Sequence, residues 1–317
     1  MSNAESRIAV VVPAHDAAET IGATLTALAA QDLGRPFELI VVDDRSSDET
    51  AAIAERHCAR VVEMAEQGGP GAARNAGAAA TDAEVVAFTD ADCEPAPGWL
   101  REALAVIEGG ADLVTGPIEP VSRPGPFDRT LNVRGPSVLF ESANVIATRA
   151  LIDRLGGFQR PARLDIAVED GHFGEDVVFG WRAERAGANI AFAPGAVVRH
   201  AVFPRDAAGY IAERWRLRLF PMLVGEVPEL RDSRPWRLFL SPRTARFDLA
   251  LAGIGAALAR RSVLPLVATI PYVRRDLHTR QPWRRSVARV NAAYVIGDLV
   301  GLAALLYGSA AHRRVLL

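Results

Sequence analysis

A chain of 317 residues, half of them hydrophobic and 23% charged, has ample material for one large core or two ordinary ones, and is neither disordered nor fibrous. Two cysteines, Cys58 and Cys93, are too few for a disulfide framework and lack zinc-site spacing, so free thiols in a reducing compartment are expected. The net charge of −2 hides a split: residues 1–200 carry 17 Arg against 30 acids, residues 201–317 carry 19 Arg against 8 acids, and there is no Lys. A second region meeting an anionic surface is therefore expected. The first seven residues hold no apolar core, which predicts no cleaved signal peptide and a cytoplasmic catalytic face.

Ile8–Val12 is an unbroken apolar run, the pattern of a strand buried on both faces. Asp16-Ala17-Ala18-Glu19 has capping-box spacing ahead of a helix with an Ile21, Leu25, Leu28 stripe. Leu39–Val42 predicts a second buried strand ending at Asp43-Asp44, and Ser46-Ser47-Asp48-Glu49 a second capping box for a helix toward His57. Arg60–Val62 reads as a short strand. Gly68-Gly69-Pro70-Gly71 opens a small-residue helix through Ala80, Glu84–Phe88 reads as a strand, Trp99–Ile107 as a helix and Leu113–Thr115 as extended. Residues 117–136 read as a loop, Glu141–Thr148 as a strand, and Ala150–Leu155 as a helix closed by Gly156-Gly157. After an irregular stretch at 159–174, Glu175-Asp176 opens a helix ending at Gly187; Ile190–Ala193 and Ala196–Arg199 are short strands before His200. This alternation implies a mostly parallel sheet with helices on both faces, which binds ligands at the carboxyl ends of its strands.

The polar clusters follow strands. In Asp90-Ala91-Asp92, carboxylates at i and i+2 can converge on Mg²⁺ or Mn²⁺ and leave positions for diphosphate oxygens, although a solvated acidic turn has the same pattern. Asp43 and Asp44 can accept hydrogen bonds from a base N–H or a ribose hydroxyl, or form a helix-capping turn. Gly71-Ala72-Ala73-Arg74-Asn75-Ala76-Gly77 opens a helix whose N–H groups favour an anion, with the Arg74 fork suited to phosphate. Glu175-Asp176 offers a general base, or simply a charge suited to the helix dipole. Glu169-Asp170 is a second acid pair with no clear helix after it. His200 ends a strand as a metal ligand or a structural histidine.

Taken in order, Pro13-Ala14-His15-Asp16, Asp43-Asp44-x-Ser-x-Asp48, Gly71-x-x-Arg74-Asn75-x-Gly77, Asp90-x-Asp92, Gly156-Gly157-Phe158 and Glu175-Asp176 resemble the family-2 glycosyltransferases of GT-A fold, over about residues 8–220. The resemblance implies inverting, metal-dependent transfer from a nucleotide-diphospho sugar. It implies that Pro13, Ala14 and Asp16 line the nucleotide pocket, that Asp43 meets the base, that Arg74 meets base or diphosphate, and that Asp90 approaches the ribose. It assigns Asp92 to the metal, with His200 as a second ligand in some members, Asp176 to the catalytic base and Glu175 to the acceptor. Processive members carry Gln-x-x-Arg-Trp; here Arg214-Trp215 is present, at the border of an acceptor cleft, but Ile211 stands in place of the Gln, which favours addition of a single sugar.

Near residue 222 the acids thin out, which predicts a catalytic domain over 1–222 and a basic, apolar helical region over 223–317. Leu249–Ala259 and Val263–Val273 are too short to span a bilayer. Val290–Ala311 is long enough, but Asp298 near its middle is costly in hydrocarbon. Arginine-flanked helices lying in the interface of an anionic membrane fit better, with a lipid-linked or envelope glycan as acceptor. A soluble cytoplasmic helical subdomain is the alternative. Nucleic acid is not expected, since no aromatic–basic reading surface is present. A sugar-phosphate nucleotidyltransferase would need a glycine-rich loop straight after the first strand, and Pro13-Ala14-His15-Asp16 is not one. A nucleotide-sugar-binding scaffold without catalysis is the non-enzyme alternative.

Overall fold

The computed structural model describes residues 7–57, 59–162, 172–277 and 285–317. Cys58 and the Glu169-Asp170 pair lie outside the described residues. The chain forms two compact units: Met1–Pro124 with Thr130–Val202, and Gly125–Arg129 with Phe203–Leu317. Residues 203–222 thus pack with the second unit, and the break falls ahead of the change in composition at 222.

In the first unit the elements run β1 (Ile8–Ala14), α1 (Ile21–Ala29), β2 (Glu38–Asp43), α2 (Thr50–Arg56), β3 (Arg60–Glu63), α3 (Gly69–Ala79), β4 (Val85–Phe88), β5 (Cys93–Pro95), α4 (Trp99–Glu108), β6 (Leu113–Thr115), β7 (Ile118–Pro120), β8 (Val145–Thr148), α5 (Arg149–Leu155), α6 (Glu175–Arg185), β9 (Ile190–Phe192) and β10 (Val198–His200). Among the described residues, a seven-stranded sheet has the order β3-β2-β1-β4-β8-β6-β9, and a three-stranded sheet the order β5-β10-β7. β8 runs antiparallel to β4 and β6, whereas β1, β2, β3 and β4 pair in parallel. The predicted mostly parallel sheet flanked by helices is therefore present. All seven residues of β1 are buried, as a strand covered on both faces requires. One face of the sheet packs on Leu25, Leu28, Trp99 and Leu104, the other on Phe158, Phe179 and Leu151.

Several local expectations are corrected. Neither predicted capping box forms: α1 begins at Ile21 after Thr20, and α2 at Thr50 after Glu49, each without a side-chain cap. The polar residues meant for those caps instead tie the two loops to each other, as described below. Glu141–Thr148 is a strand only from Val145, because Ser142–Asn144 is a 3₁₀ turn. The stretch 117–136 contains β7, and β5 directly follows the Asp-Ala-Asp triplet. Neither three-residue strand has enough periodicity to read from sequence. Gly77 needs no side chain: a Cβ there would lie 2.3 Å from Val11 Cγ1, so the glycine lets α3 press onto β1.

The second unit holds α7 (Ala207–Glu213), α8 (Phe220–Glu226), α9 (Pro242–Arg260), α10 (Ile270–Asp276) and α11 (Arg285–His312), with 3₁₀ turns between α7 and α8, α8 and α9, and α9 and α10. Here a capping box does form, Ser241 and Thr244 exchanging side-chain and backbone bonds at the start of α9. Val287–His312 of α11 is long and apolar enough to cross a membrane by length and composition. Yet Asp298 at its centre is buried inside the unit. It accepts from Arg243 Nη2 at 2.9 Å and Tyr272 Oη at 2.6 Å, and lies 3.3 Å from Arg214 Nη2. Arg214, expected at an acceptor cleft, is thus engaged with this carboxylate.

Candidate functional site in the first unit

The carboxyl ends of β1, β2 and β4 bring the predicted polar clusters together. Pro13 and Ala14 are buried at the end of β1, in register with Val42 and Asp43 of β2. The Asp16 carboxylate accepts from Ser47 N at 2.7 Å and Ser47 Oγ at 3.1 Å, and its own N–H donates to Ser46 Oγ at 3.1 Å. Asp16 adopts a positive φ of 44° to reach across. The Ser47 N–H bond holds its carboxyl below the usual range. Ala17 N donates to Thr50 Oγ1 and Ala18 N to Asp48 Oδ2. Asp16 therefore stitches loop to loop rather than capping α1, and Asp48 both joins Ala18 and accepts from Thr50 N at the start of α2.

The two neighbours Asp43 and Asp44 part company. Asp44 is buried, and its two oxygens accept from Gly68 N and Gly69 N, each at 2.7 Å. Its carboxylate is thereby engaged with the glycine turn that opens α3. Asp43 Oδ2 accepts from Ser46 N at 3.3 Å, but Oδ1 is buried with no hydrogen-bond partner. A buried carboxylate oxygen with an unmade bond is costly unless a ligand supplies a donor. Asp43, not Asp44, has the open acceptor.

Arg74 on α3 is 4% exposed. Its Nη2 contacts Asp90 Oδ1, its guanidinium lies 5.5 Å from the centre of the Phe158 ring, and its Nε is buried without a partner. Sequence reading gave Asn75 no task. The structure shows its amide clamping the Gly-Gly-Phe turn: Nδ2 donates to Phe158 O at 2.7 Å and Oδ1 accepts from Phe158 N at 2.8 Å. The signal was there, since a side chain with both a donor and an acceptor sits beside Arg74 in the same motif. Asn75→Ala would strand both Phe158 backbone groups, and about 1–3 kcal/mol of stability should be lost in urea unfolding.

Asp92 and His200 meet across the β5–β10 pair: His200 Nε2 is 3.5 Å from Asp92 Oδ2. His200 Nδ1 lies 2.7 Å from Ala201 O, an acceptor, so this nitrogen donates there and Nε2 is the nitrogen turned toward Asp92. Cys93 completes a group whose ligand atoms lie within 4.8 Å of one another. Burial, with Asp90 and Asp92 alongside, pushes the Cys93 thiol well above its ordinary value. A thiol so raised is a poor ligand for a hard cation, so the candidate donors are the Asp92 oxygen and the His200 nitrogen.

Glu175 and Asp176 open α6 after Gly174, whose φ is 83°. Glu175 is buried, with Oε1 unbonded and His172 Nδ1 3.5 Å away. Gly71 makes room for it, since a Cβ there would lie 3.1 Å from Glu175 Cγ. Asp176 is raised to about 7. Burial is the largest cause; the Val177 N–H and Arg74 oppose it, and Glu175 and Glu141 add to it. Glu141 was missed in the sequence, because it precedes a 3₁₀ turn, far along the chain from any motif. The site thus joins an open base-type acceptor at Asp43, an Asp–His donor pair, a buried arginine touching Asp90, and a carboxyl poised to exchange a proton near neutrality.

The family model described as "Glycosyl transferase family 2" matches residues 9–158. The chain is similar to the pre-mycofactocin glycosyltransferase of Mycobacterium tuberculosis, 30% identical over 208 residues, covering 61% of this chain and 42% of that one. It thus spans about two-fifths of the length of that curated relative. Its fold resembles that of the mannosyltransferase PcManGT of Pyrobaculum calidifontis in complex with GDP-Man and Mn²⁺: TM-score 0.62, 22% identity, 95% of this chain and 88% of that chain. It also resembles glucosyl-3-phosphoglycerate synthase of Mycobacterium tuberculosis in complex with Mn²⁺, UDP and glucosyl-3-phosphoglycerate: TM-score 0.51, 21% identity, 70% of this chain and 80% of that chain.

Proposed function

We propose that this chain, whose residues 9–158 match the model of glycosyl transferase family 2 and whose fold resembles solved GT-A transferases, is a member of that family and transfers a single sugar from a nucleotide-diphospho sugar to an acceptor hydroxyl with inversion. The observation that carries the reading is a polar line across the site: Asp90 touches Arg74, and Arg74 acts in turn on Asp176. That line supports a leaving-group side and a base side facing each other across a bound sugar.

Asp43 Oδ1 accepts the N–H of the donor's base, and Asp90 approaches the ribose. The Asp92 and His200 donors fit a divalent cation of the Mg²⁺ or Mn²⁺ type, as in the two similar structures solved with Mn²⁺. When bound, the cation supplies positive charge against the diphosphate. Arg74 adds a fixed cation at the same oxygens, the electrostatic contribution that usually dominates such reactions. Asp176 takes the proton of the acceptor hydroxyl as its oxygen bonds to the anomeric carbon. The bond from that carbon to the diphosphate oxygen breaks, its electron pair leaves with the nucleoside diphosphate, and a single displacement inverts the centre. Glu175 orients the acceptor. Ile211, in place of the glutamine of processive members, supports one addition per encounter.

The acceptor in this reading is a lipid-linked or cell-envelope glycan, and the second unit holds the enzyme at the cytoplasmic face of a membrane. The basic excess beyond residue 200 and the apolar length of α11 support it. The test is a panel of nucleotide sugars with Mn²⁺, read first by thermal shift and then by product analysis. One donor class should raise Tm and yield a product of inverted anomeric configuration. A panel in which no nucleoside-diphospho sugar binds, or in which the configuration is retained, would overturn the reading.

A further inference from the structure

The second unit carries an apolar surface that its own core does not use. The inner face of α9 packs Phe247 and Ala250 against Tyr272 of α10. At Gly253 the 3₁₀ turn Leu264–Thr269 crosses close: a Cβ there would lie 2.6 Å from Pro265 O and 2.8 Å from Ala268 Cβ. From Ile254 to the end of α9 no residue is buried. Leu258 is 76% exposed, Val263 77%, Leu264 80% and Val267 66%. Four large aliphatic side chains in water on one hairpin exceed the scattered apolar residues that any soluble surface carries.

The charge around the tip is of one sign. No acid lies between Asp248 and Asp276, while Arg260, Arg261, Arg274 and Arg275 flank the apolar residues in two pairs. All four arginines are exposed. Such side chains keep the charge wet while their stems lie along apolar surface. The length discriminates between modes of attachment. The seven residues of α9 beyond Gly253 rise roughly 10 Å at 1.5 Å each. That matches the ~5–10 Å depth of an interfacial helix and falls far short of the ~30 Å hydrocarbon core.

We propose that this tip, the end of α9 with the turn that follows it, is the element that inserts into an anionic bilayer, seated to the level of its paired arginines. The inference rests on the membrane reading above and narrows it from the whole second unit to one hairpin. Opposite charge between the arginines and the phosphates of the headgroups commits the surface to lipid rather than to a second copy, whose tip carries the same four positive charges.

The test uses the full chain and phosphatidylcholine vesicles with and without phosphatidylglycerol, read by flotation. The doubly substituted Leu264→Glu, Val267→Glu should lower the partition coefficient at least about tenfold, since two anchors become charges. Arg260→Gln with Arg261→Gln should weaken binding to phosphatidylglycerol vesicles by about fivefold for each arginine and leave the remaining binding less sensitive to salt. Leu306→Glu, on an exposed part of α11, should bind like the parent. Leu264→Trp supplies a readout that does not depend on loss: it should add fluorescence that brominated lipid quenches. A full chain that floats with no vesicle would fell the membrane reading itself. Vesicle binding that survives the tip substitutions, or that Leu306→Glu abolishes, would overturn this inference alone. A dimer in solution that Leu264→Glu dissociates would make a second copy the occupant.

Discussion

Asp176→Asn is expected to lower turnover by at least about a hundredfold, the lower end for removal of a general base, while affinity for the nucleoside diphosphate stays near that of the parent. The amide keeps the shape of the side chain but cannot take a proton. The parent should show a matching pH dependence. With Asp176 raised to about 7, its active ionised form is lost as the pH falls, so kcat/KM should drop below neutrality and level off above it. Asp176→Asn should remove that inflection from whatever activity remains. Stability runs the other way. The folded protein holds this proton over a range, from the ordinary value of 3.8 up to about 7, in which the unfolded chain has released it. Stability from this group is full below that range and is lost as the pH rises through 7, and Asp176→Asn should flatten the slope. Near-parent turnover in Asp176→Asn, together with an inactive Asp170→Asn, would transfer the role of base to the other acid pair.

Asp92→Ala should remove most of the metal-dependent affinity for a nucleoside diphosphate. Even an outer partner of a metal ligand is worth about 10–100-fold in metal affinity, so loss of a direct donor should reach at least that range. His200→Ala should weaken the same dependence, because its Nε2 is turned to Asp92 by the Ala201 carbonyl. Cys93→Ser should leave it near the parent, since a thiol pushed up by burial beside Asp90 and Asp92 is a poor ligand for a hard cation. Calorimetry with UDP and GDP, in Mn²⁺ and in EDTA, separates these outcomes. Equal affinity in both conditions would end the metal role of Asp92.

Much of the site was legible because its residues recur at fixed places relative to strands. A buried strand announces itself as an apolar run, and the polar residues that follow it fall at the sheet's carboxyl edge, where Asp43, Asp90 and Asp92 stand. Pairwise geometry was not legible. Asp43 and Asp44 are adjacent and chemically alike, yet one keeps a buried oxygen without a hydrogen-bond partner and the other holds Gly68 and Gly69. In an extended segment successive side chains point to opposite faces, and which face carries the site depends on the partner strand. The two unformed capping boxes failed similarly: local spacing favoured a cap, but in the folded loops Asp16 accepts from Ser47 and Ser46 accepts from the Asp16 N–H.

By itself the sequence determined the alternation of strands and helices and the parallel sheet, because burial on both faces and helical period are local patterns that survive without knowledge of contacts. It also exposed the charge divide near residue 200. Only the tertiary structure decided which groups meet. Asp92 directly precedes β5 and His200 ends β10, far apart in sequence, and the three-residue antiparallel pairing of those strands brings them together. Glu141 reaches Asp176 from another segment. Asp298, which sequence marks as an expense in hydrocarbon, is satisfied by Arg243, Arg214 and Tyr272. The physical reason is common to all three. A titratable side chain takes its partner and its proton affinity from the atoms around it, and folding alone brings together groups dozens of residues apart.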